Sequence, residues 1–193
     1  MMSELTNFST MIDGMYGGDQ KNFGGISKPW KEIEGCGFVA IANCYGYYKY
    51  KKSGYKKPYT KAEFIKLMEE VYTHFDFEIG IFYENIFIDK CTSFAKKKNC
   101  NVNCTTRNFN SSDFYESIAI SLKVNVPVAL LSKGGGGNGK FNNHWVLVTG
   151  IDKIVKDKII TGYKLTISSW GEKYITELSD FGNYVGIVMV NFN

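Results

Sequence analysis

Apolar residues recur at two different periods along this chain, and the change from one period to the other predicts the architecture. In the first two thirds they return every three or four residues, as on one face of a helix. From about residue 125 they gather in short runs separated by polar or glycine-rich breaks, which is typical of strands. Helices followed by an antiparallel sheet predict an α+β fold in two halves.

The periodic part predicts four helices. The first begins at Cys36 and ends near Tyr50. The second begins after Thr60, because Thr60 and Glu63 have the spacing of a capping box. A third is predicted over residues 85–98, and a fourth from residue 112 or 113 to about 124.

The second part predicts strands at residues 126–131, 144–151, 159–169, 174–178 and 184–192, and a short strand is predicted earlier, at 102–107. Residues 1–35 contain many glycines and several aromatic residues, which indicates an ordered loop that packs on a surface. We therefore expect residues 1–193 to form a single domain, with an ordered N-terminal segment (1–35), a helical half (36–124) and a sheet half (125–193).

Composition places the chain among ordinary globular proteins. It has a net charge of +4, 44% hydrophobic and 22% charged residues, and no apolar run of membrane-spanning length. The first residues lack the basic and apolar regions of a signal peptide, and an odd number of cysteines, five, argues for a reducing compartment. We expect a cytoplasmic protein with no membrane partner and an unknown oligomeric state.

Metal and nucleic-acid sites are weakly supported. Cys100 and Cys104 have a ligand-like spacing, but Cys91 is the only further cysteine near them and the chain has only two histidines, so no metal and no cofactor are expected. Residues 49–59 alternate lysines and tyrosines, which can contact a phosphate backbone. We favour a solvated loop there and expect no nucleic-acid partner, with RNA binding as a third interpretation of the chain.

Residues 134–140 match the first part of a phosphate-binding loop. That motif requires Ser or Thr next and then a helix, whereas Phe141 follows here and a strand begins at His144. The nucleotide interpretation is therefore rejected. The loop is either a mobile hairpin connection or a flap on the substrate side of His144.

The strongest chemical signal is a cysteine at a predicted helix start, between Gly35 and Gly37. Unpaired N–H groups and the helix dipole favour a thiolate there, and the glycines allow another backbone to approach the sulfur. Such a cysteine needs a base and the base an orienting partner. His144 is the plausible base, and a hairpin turning near Lys156 would bring Ser168 or Ser169 opposite it.

Three motifs together resemble the papain-like cysteine peptidases, most closely their C39-like branch found in bacteria. They are Gly35-Cys36-Gly37, the strand that begins at His144 and ends in Gly150, and Ser168-Ser169-Trp170-Gly171. The resemblance covers about residues 16–192 and implies a nucleophile helix packed against a C-terminal antiparallel sheet.

The same resemblance implies the catalytic roles. Cys36 would be the nucleophile, His144 the base, and Ser168 the third residue, with Ser169 as its alternative. The family carries Asn or Asp at that third position and a Gln shortly before the cysteine. Because residues 26–35 contain no Gln or Asn, Gln20 is the expected oxyanion donor, or alternatively a brace of its loop. The expected substrate contacts are Gly35, Gly37, Gly135, Gly136, Asn143 and Trp170.

These observations predict a cysteine-dependent hydrolase (a peptidase or amidase) or an acyltransferase. The substrate is expected to be a peptide or an amide that forms a thioester with Cys36. The alternative is a catalytically inactive binding protein of papain-like fold.

Overall fold

The computed structural model describes residues 3–23, 35–75, 80–134 and 139–193, and these residues form a mixed α+β structure. The described α-helices are α1 (Cys36–Lys52), α2 (Lys61–Thr73), α3 (Glu84–Lys97) and α4 (Phe114–Lys123). The strands are β1 (Ser3–Glu4), β2 (Val102–Asn108), β3 (Val128–Lys133), β4 (His144–Lys156), β5 (Ile159–Ser169), β6 (Glu172–Thr176) and β7 (Tyr184–Phe192). The predicted α+β class and the four predicted helices are confirmed.

The strands form one antiparallel sheet in the order β2-β7-β3-β4-β5-β6, and β1 pairs with β4 beside this path. The sequence did not predict β1, because a strand of two residues is too short to show alternation. Buried apolar side chains from the helices and the sheet form one continuous core.

Helix α1 lies at the centre of this core and contacts α2, α3, β3, β4 and β7. Its residues are apolar or small on nearly every face, as expected of a helix that is covered all round. Gly46 allows α2 to come close, since a Cβ at this position would lie 2.7 Å from the ring of Phe64. This placement brings Cys36, the first residue of α1, to the boundary between the helices and the sheet.

The capping box of α2 forms as the sequence predicted. The Thr60 side chain accepts a hydrogen bond from the backbone N–H of Glu63, and Glu63 Oε2 accepts one from the Thr60 N–H at 2.8 Å. Two of the backbone donors at this helix start are thereby satisfied by local side chains.

The hairpin of β4 and β5 turns one or two residues later than predicted. Its turn is Asp157-Lys158, with Lys156 paired to Ile159, and near the other end Leu147 pairs with Ser168. Two irregularities interrupt the ladder, one on each strand, and their one-residue shifts cancel. The predicted pairing of residue 144 with residue 168 is therefore wrong, which changes the face on which each serine lies.

Among the described residues, no helix is long and apolar enough to cross a membrane.

Candidate functional site

Distant segments of the chain meet in one narrow cleft at the start of α1. The loop before residue 24 contributes Gly18 and Gln20, α1 contributes Cys36 and Asn43, and β4 contributes His144. The end of β5 and the turn after it complete the lining with Ser168, Ser169 and Trp170. The structure thus brings together every catalytic residue that the sequence predicted.

Cys36 is the first residue of α1 and is partly buried. Gly35 precedes it at the N-cap with a right-handed backbone, so Cys36 lies in the first turn of the helix. Two of the other cysteines differ clearly, because Cys44 and Cys91 are fully buried and burial raises their pKa well above the ordinary value. That environment makes them poor nucleophiles.

His144 is the first residue of β4, and its side chain is 7% exposed. Its Nε2 lies 2.8 Å from Ser169 Oγ, and the ring of Trp170 stacks on the imidazole with centroids 4.6 Å apart. Burial lowers the pKa of His144 from 6.5 to about 4. The imidazole is therefore neutral near pH 7.

The serine that faces His144 is Ser169, and the assignment of this role to Ser168 is wrong. Leu147 pairs with Ser168, so the next pair along the ladder would be Val146 with Ser169. Ser169 is then the diagonal neighbour of His144 on one face, and Ser168 lies on the other. Ser168 Oγ instead donates to the Tyr16 carbonyl at 2.6 Å.

Trp170 and Gly171 form the two-residue turn between β5 and β6. Both have left-handed backbones, with φ of 50° at Trp170 and 74° at Gly171. A bulky residue is strained in this conformation, whereas glycine is not. The turn is held by the N-terminal loop, because Tyr16 N–H donates to the Gly171 carbonyl at 2.8 Å and Gly171 N–H donates to Gly18 O at 3.0 Å.

Gln20 reaches the cleft because its loop packs closely on this turn and on α1. It begins a short 3₁₀ helix, capped by Asp19, and its side chain is buried. Gly18 N–H donates to Asn43 Oδ1 of α1 at 2.9 Å. At Gly17, with φ of 85°, a Cβ would lie 2.0 Å from Ser168 Oγ, so only glycine allows this approach.

The predicted substrate contacts are divided between several positions. Trp170 lines the cleft and Asn143 lines a neighbouring groove. Gly35 and Gly37 are buried, and Gly37 packs on Ile81, from which an added Cβ would be only 2.7 Å away. Close packing is therefore the observed role of Gly37, and neither glycine lines the cleft or the neighbouring groove. Gly135 and Gly136 lie outside the described residues.

The neighbouring groove, of about 540 Å³, was not predicted from the sequence. It shares Cys36 and Trp145 with the cleft, but Gln20 does not line it. Its other lining includes Ile81, Phe82, Tyr83, Leu131, Lys133 and Asn143. The only sequence signal for it is a pair of aromatic residues, Phe82-Tyr83, just before a helix start.

Metal-binding chemistry finds no support in the described part of the chain, where no group of three or more His, Cys, Asp and Glu side chains could hold an ion. His74, the other histidine, is the C-cap of α2 and bonds to Ser93 of α3 through Nε2 at 3.0 Å. The candidate functional site consists of the cleft and the groove, which share Cys36. Comparison with known protein families finds no matching family model, and no curated protein matches the sequence.

Proposed function

We propose that this protein is a cysteine-dependent hydrolase or acyltransferase that acts on a peptide or amide through a thioester on Cys36, in a papain-like arrangement. One observation carries the proposal: a partly buried thiol at a helix start lines the same cleft as a buried, neutral imidazole and a buried amide side chain. Nucleophile, base and oxyanion donor are the groups that acyl transfer needs.

His144 is suited to the role of general base. Its Nε2 is occupied by Ser169, which leaves Nδ1 to receive the thiol proton. The sulfur then bonds to the substrate carbonyl carbon, and the proton passes to the departing amine as the C–N bond breaks. Water, or a second amine or alcohol, next attacks the thioester carbon. His144 takes a proton from this second nucleophile and gives it to the sulfur as the C–S bond breaks.

Ser169 and Trp170 fix the orientation of the base. The hydroxyl of Ser169 holds one ring nitrogen, and the stacked indole limits rotation of the imidazole. A hydroxyl brings no negative charge, so it stabilises an imidazolium less than a carboxylate would.

Gln20 is suited to the oxyanion role. Its buried amide lies in the cleft that contains Cys36, whose own backbone N–H lies in the first turn of α1. Two neutral donors could stabilise the negative oxygen of a tetrahedral intermediate, and removal of one such donor costs about 100-fold or more in turnover.

The test measures the reactivity of each cysteine. Iodoacetamide near neutral pH, followed by peptide mapping, should modify Cys36 first, and His144→Ala should slow this reaction at least about tenfold. Cys100→Ala is the matched control, because Cys100 is also partly exposed. Its loss should leave Cys36 alkylation unchanged, whereas preferential modification of Cys100 or Cys104 would contradict the proposal.

The two serines give a second measurement within this proposal. Ser169→Ala removes the hydrogen bond to His144 and should lower turnover or Cys36 alkylation about tenfold, the usual effect of a lost positioning contact of ~1.4 kcal/mol. Ser168→Ala removes only the bond to Tyr16 O and should lower stability instead. The opposite result would restore Ser168 as the orienting residue.

A catalytically inactive binding protein is the second candidate. The observation that favours it is the combination of a pKa of about 4 at His144 with an uncharged partner, since both disfavour the imidazolium of the transition state. In that case Cys36 should react no faster than a free thiol, and peptide binding should be unchanged by Cys36→Ala.

A further inference from the structure

The groove beside Cys36 has a wall that is fixed before any ligand binds. Trp145 Nε1 donates to the Ile81 carbonyl at 2.6 Å, and the indole stacks on Phe87 of α3 with ring centroids 4.3 Å apart. Residues 80–83 are thereby attached to β4 and α3. A ligand would meet a preformed surface, so little conformational entropy would be lost in ordering that surface on binding.

The groove also exposes aromatic surface that the fold leaves uncovered. Phe82 is 49% exposed and Tyr83 is 55% exposed, although both precede a helix whose other apolar residues are largely buried. Leu131 and Trp145 add further apolar lining. Such a surface favours an extended substrate segment whose side chains have apolar stems.

One charge interrupts this apolar lining. Lys133, at the end of β3, is the one ionisable side chain besides Cys36 and Tyr83 among the described residues of the groove. Its Nζ lies 3.7 Å from the centre of the Tyr83 ring and 5.5 Å from that of Tyr184. Within the described residues no carboxylate forms a salt bridge with it, and the nearby Glu84 accepts a hydrogen bond from Tyr184 at 2.5 Å.

We propose that Lys133 is a specificity-determining residue that selects a carboxylate on the substrate segment lying in this groove. The inference rests on the proposed function, since it makes the groove the place where the chain flanking the scissile carbonyl lies. The ammonium is held over an aromatic face, where it is partly shielded from water and can form a charge-assisted bond with an anion. Two sources can supply this carboxylate, a Glu or Asp side chain and a peptide C-terminus.

Cleavage and binding test this together. Internally quenched peptides carry Glu, Gln or Lys in turn at each position on both sides of the scissile bond, with amidated C-termini, and a second set has free C-termini. At one position the wild-type protein should cleave the Glu peptide about tenfold faster than the Gln peptide, and the Lys peptide should be the slowest. A preference confined to free C-termini would identify the terminal carboxylate as the selected group.

Variants assign the effect to Lys133. Lys133→Gln should remove the preference for Glu, and Lys133→Glu should reverse it in favour of Lys, with little change for uncharged peptides. Lys140→Glu is the matched control, because Lys140 lies 3.9 Å from the centre of the Tyr174 ring but does not line the groove. A preference that persists in Lys133→Glu, or that Lys140→Glu also reverses, would overturn the inference.

A binding measurement separates this inference from the proposed function. The fluorescence anisotropy of labelled Glu, Gln and Lys peptides is followed with the Cys36→Ala variant, which cannot form a thioester. One outcome is that the wild-type protein cleaves no peptide, but the Cys36→Ala variant binds Glu peptides about tenfold more tightly than Gln peptides and this difference depends on Lys133. In that case the proposed function fails and the specificity assignment stands. If peptides are cleaved or bound with no preference for Glu over Gln and Lys, the assignment of Lys133 is refuted and the proposed function is not affected.

Discussion

Two turns at opposite ends of β5 have the same backbone and very different surroundings. Asp157-Lys158 joins β4 to β5 with φ of 51° and 67°, and Trp170-Gly171 joins β5 to β6 with φ of 50° and 74°. Both are two-residue hairpin turns with left-handed residues, whose twist suits the flanking strands. The first turn is exposed to solvent, whereas the second lies against the N-terminal loop and the cleft.

The difference shows where this protein tolerates backbone strain. Asp is among the residues that accept a left-handed backbone, so the outer turn, Asp157-Lys158, needs little further stabilisation from neighbouring residues. Trp is not, and its strain persists because its ring stacks on His144 and Phe141 while the turn bonds to the N-terminal loop. A strained residue held at a candidate site is the kind of outlier from which a functional hypothesis is drawn.

The largest effect on stability is expected from separating the inner turn, Trp170-Gly171, from the N-terminal loop that packs on it. Gly17→Ala places a Cβ 2.0 Å from Ser168 Oγ at a φ of 85°, and the cost should be about 4 kcal/mol from overpacking and backbone strain. Gly54→Ala is the control, because its φ is 67° and the space around it is open, so about 1 kcal/mol is expected. Urea unfolding measures both, and equal losses would show that the loop contact contributes nothing.

The next effect concerns the imidazole that the inner turn covers. The folded pKa of His144 is lowered to about 4 from 6.5, so the unfolded chain binds more protons between these values. The contribution of His144 to the free energy of unfolding is therefore fully present above pH 6.5. It is lost as the pH falls towards 4, by about 3 kcal/mol in total.

The measurement is the free energy of unfolding from pH 7 to pH 4 in wild type and in His144→Gln. Carboxylates also titrate in this range, so the difference between the two proteins isolates the histidine. Parallel profiles for wild type and His144→Gln would show that burial does not lower the pKa.

The smallest effects should have opposite signs at the two turns. Lys158→Gly relieves a left-handed residue at the exposed turn and should stabilise the protein by up to about 1 kcal/mol. Trp170→Gly relieves the same strain but removes the ring from His144 and Phe141, and it should destabilise the protein by about 2 kcal/mol. Thermal unfolding of both variants distinguishes the signs, and stabilisation at Trp170 would refute the role given to its ring.

Sequence patterns determined the local elements and the chemical types of the site. Periodicity of apolar residues located the four helices within one or two residues, and the spacing of Thr60 and Glu63 predicted a capping box that forms. Cys36 at a helix start and His144 at a strand start were also predicted, because both positions depend on neighbours in sequence. The catalytic roles, the papain-like arrangement and the single domain stay predictions.

Only the tertiary structure decided which side chains meet. A hairpin register that differs by an odd number of residues moves a side chain to the other face, so Ser169 rather than Ser168 bonds to His144. The two cancelling irregularities in that ladder leave no signal in an apolar pattern. The groove of Phe82, Tyr83 and Lys133 was likewise invisible, because it is formed by segments far apart in sequence whose approach depends on the packing of α3, β3 and β4 around α1.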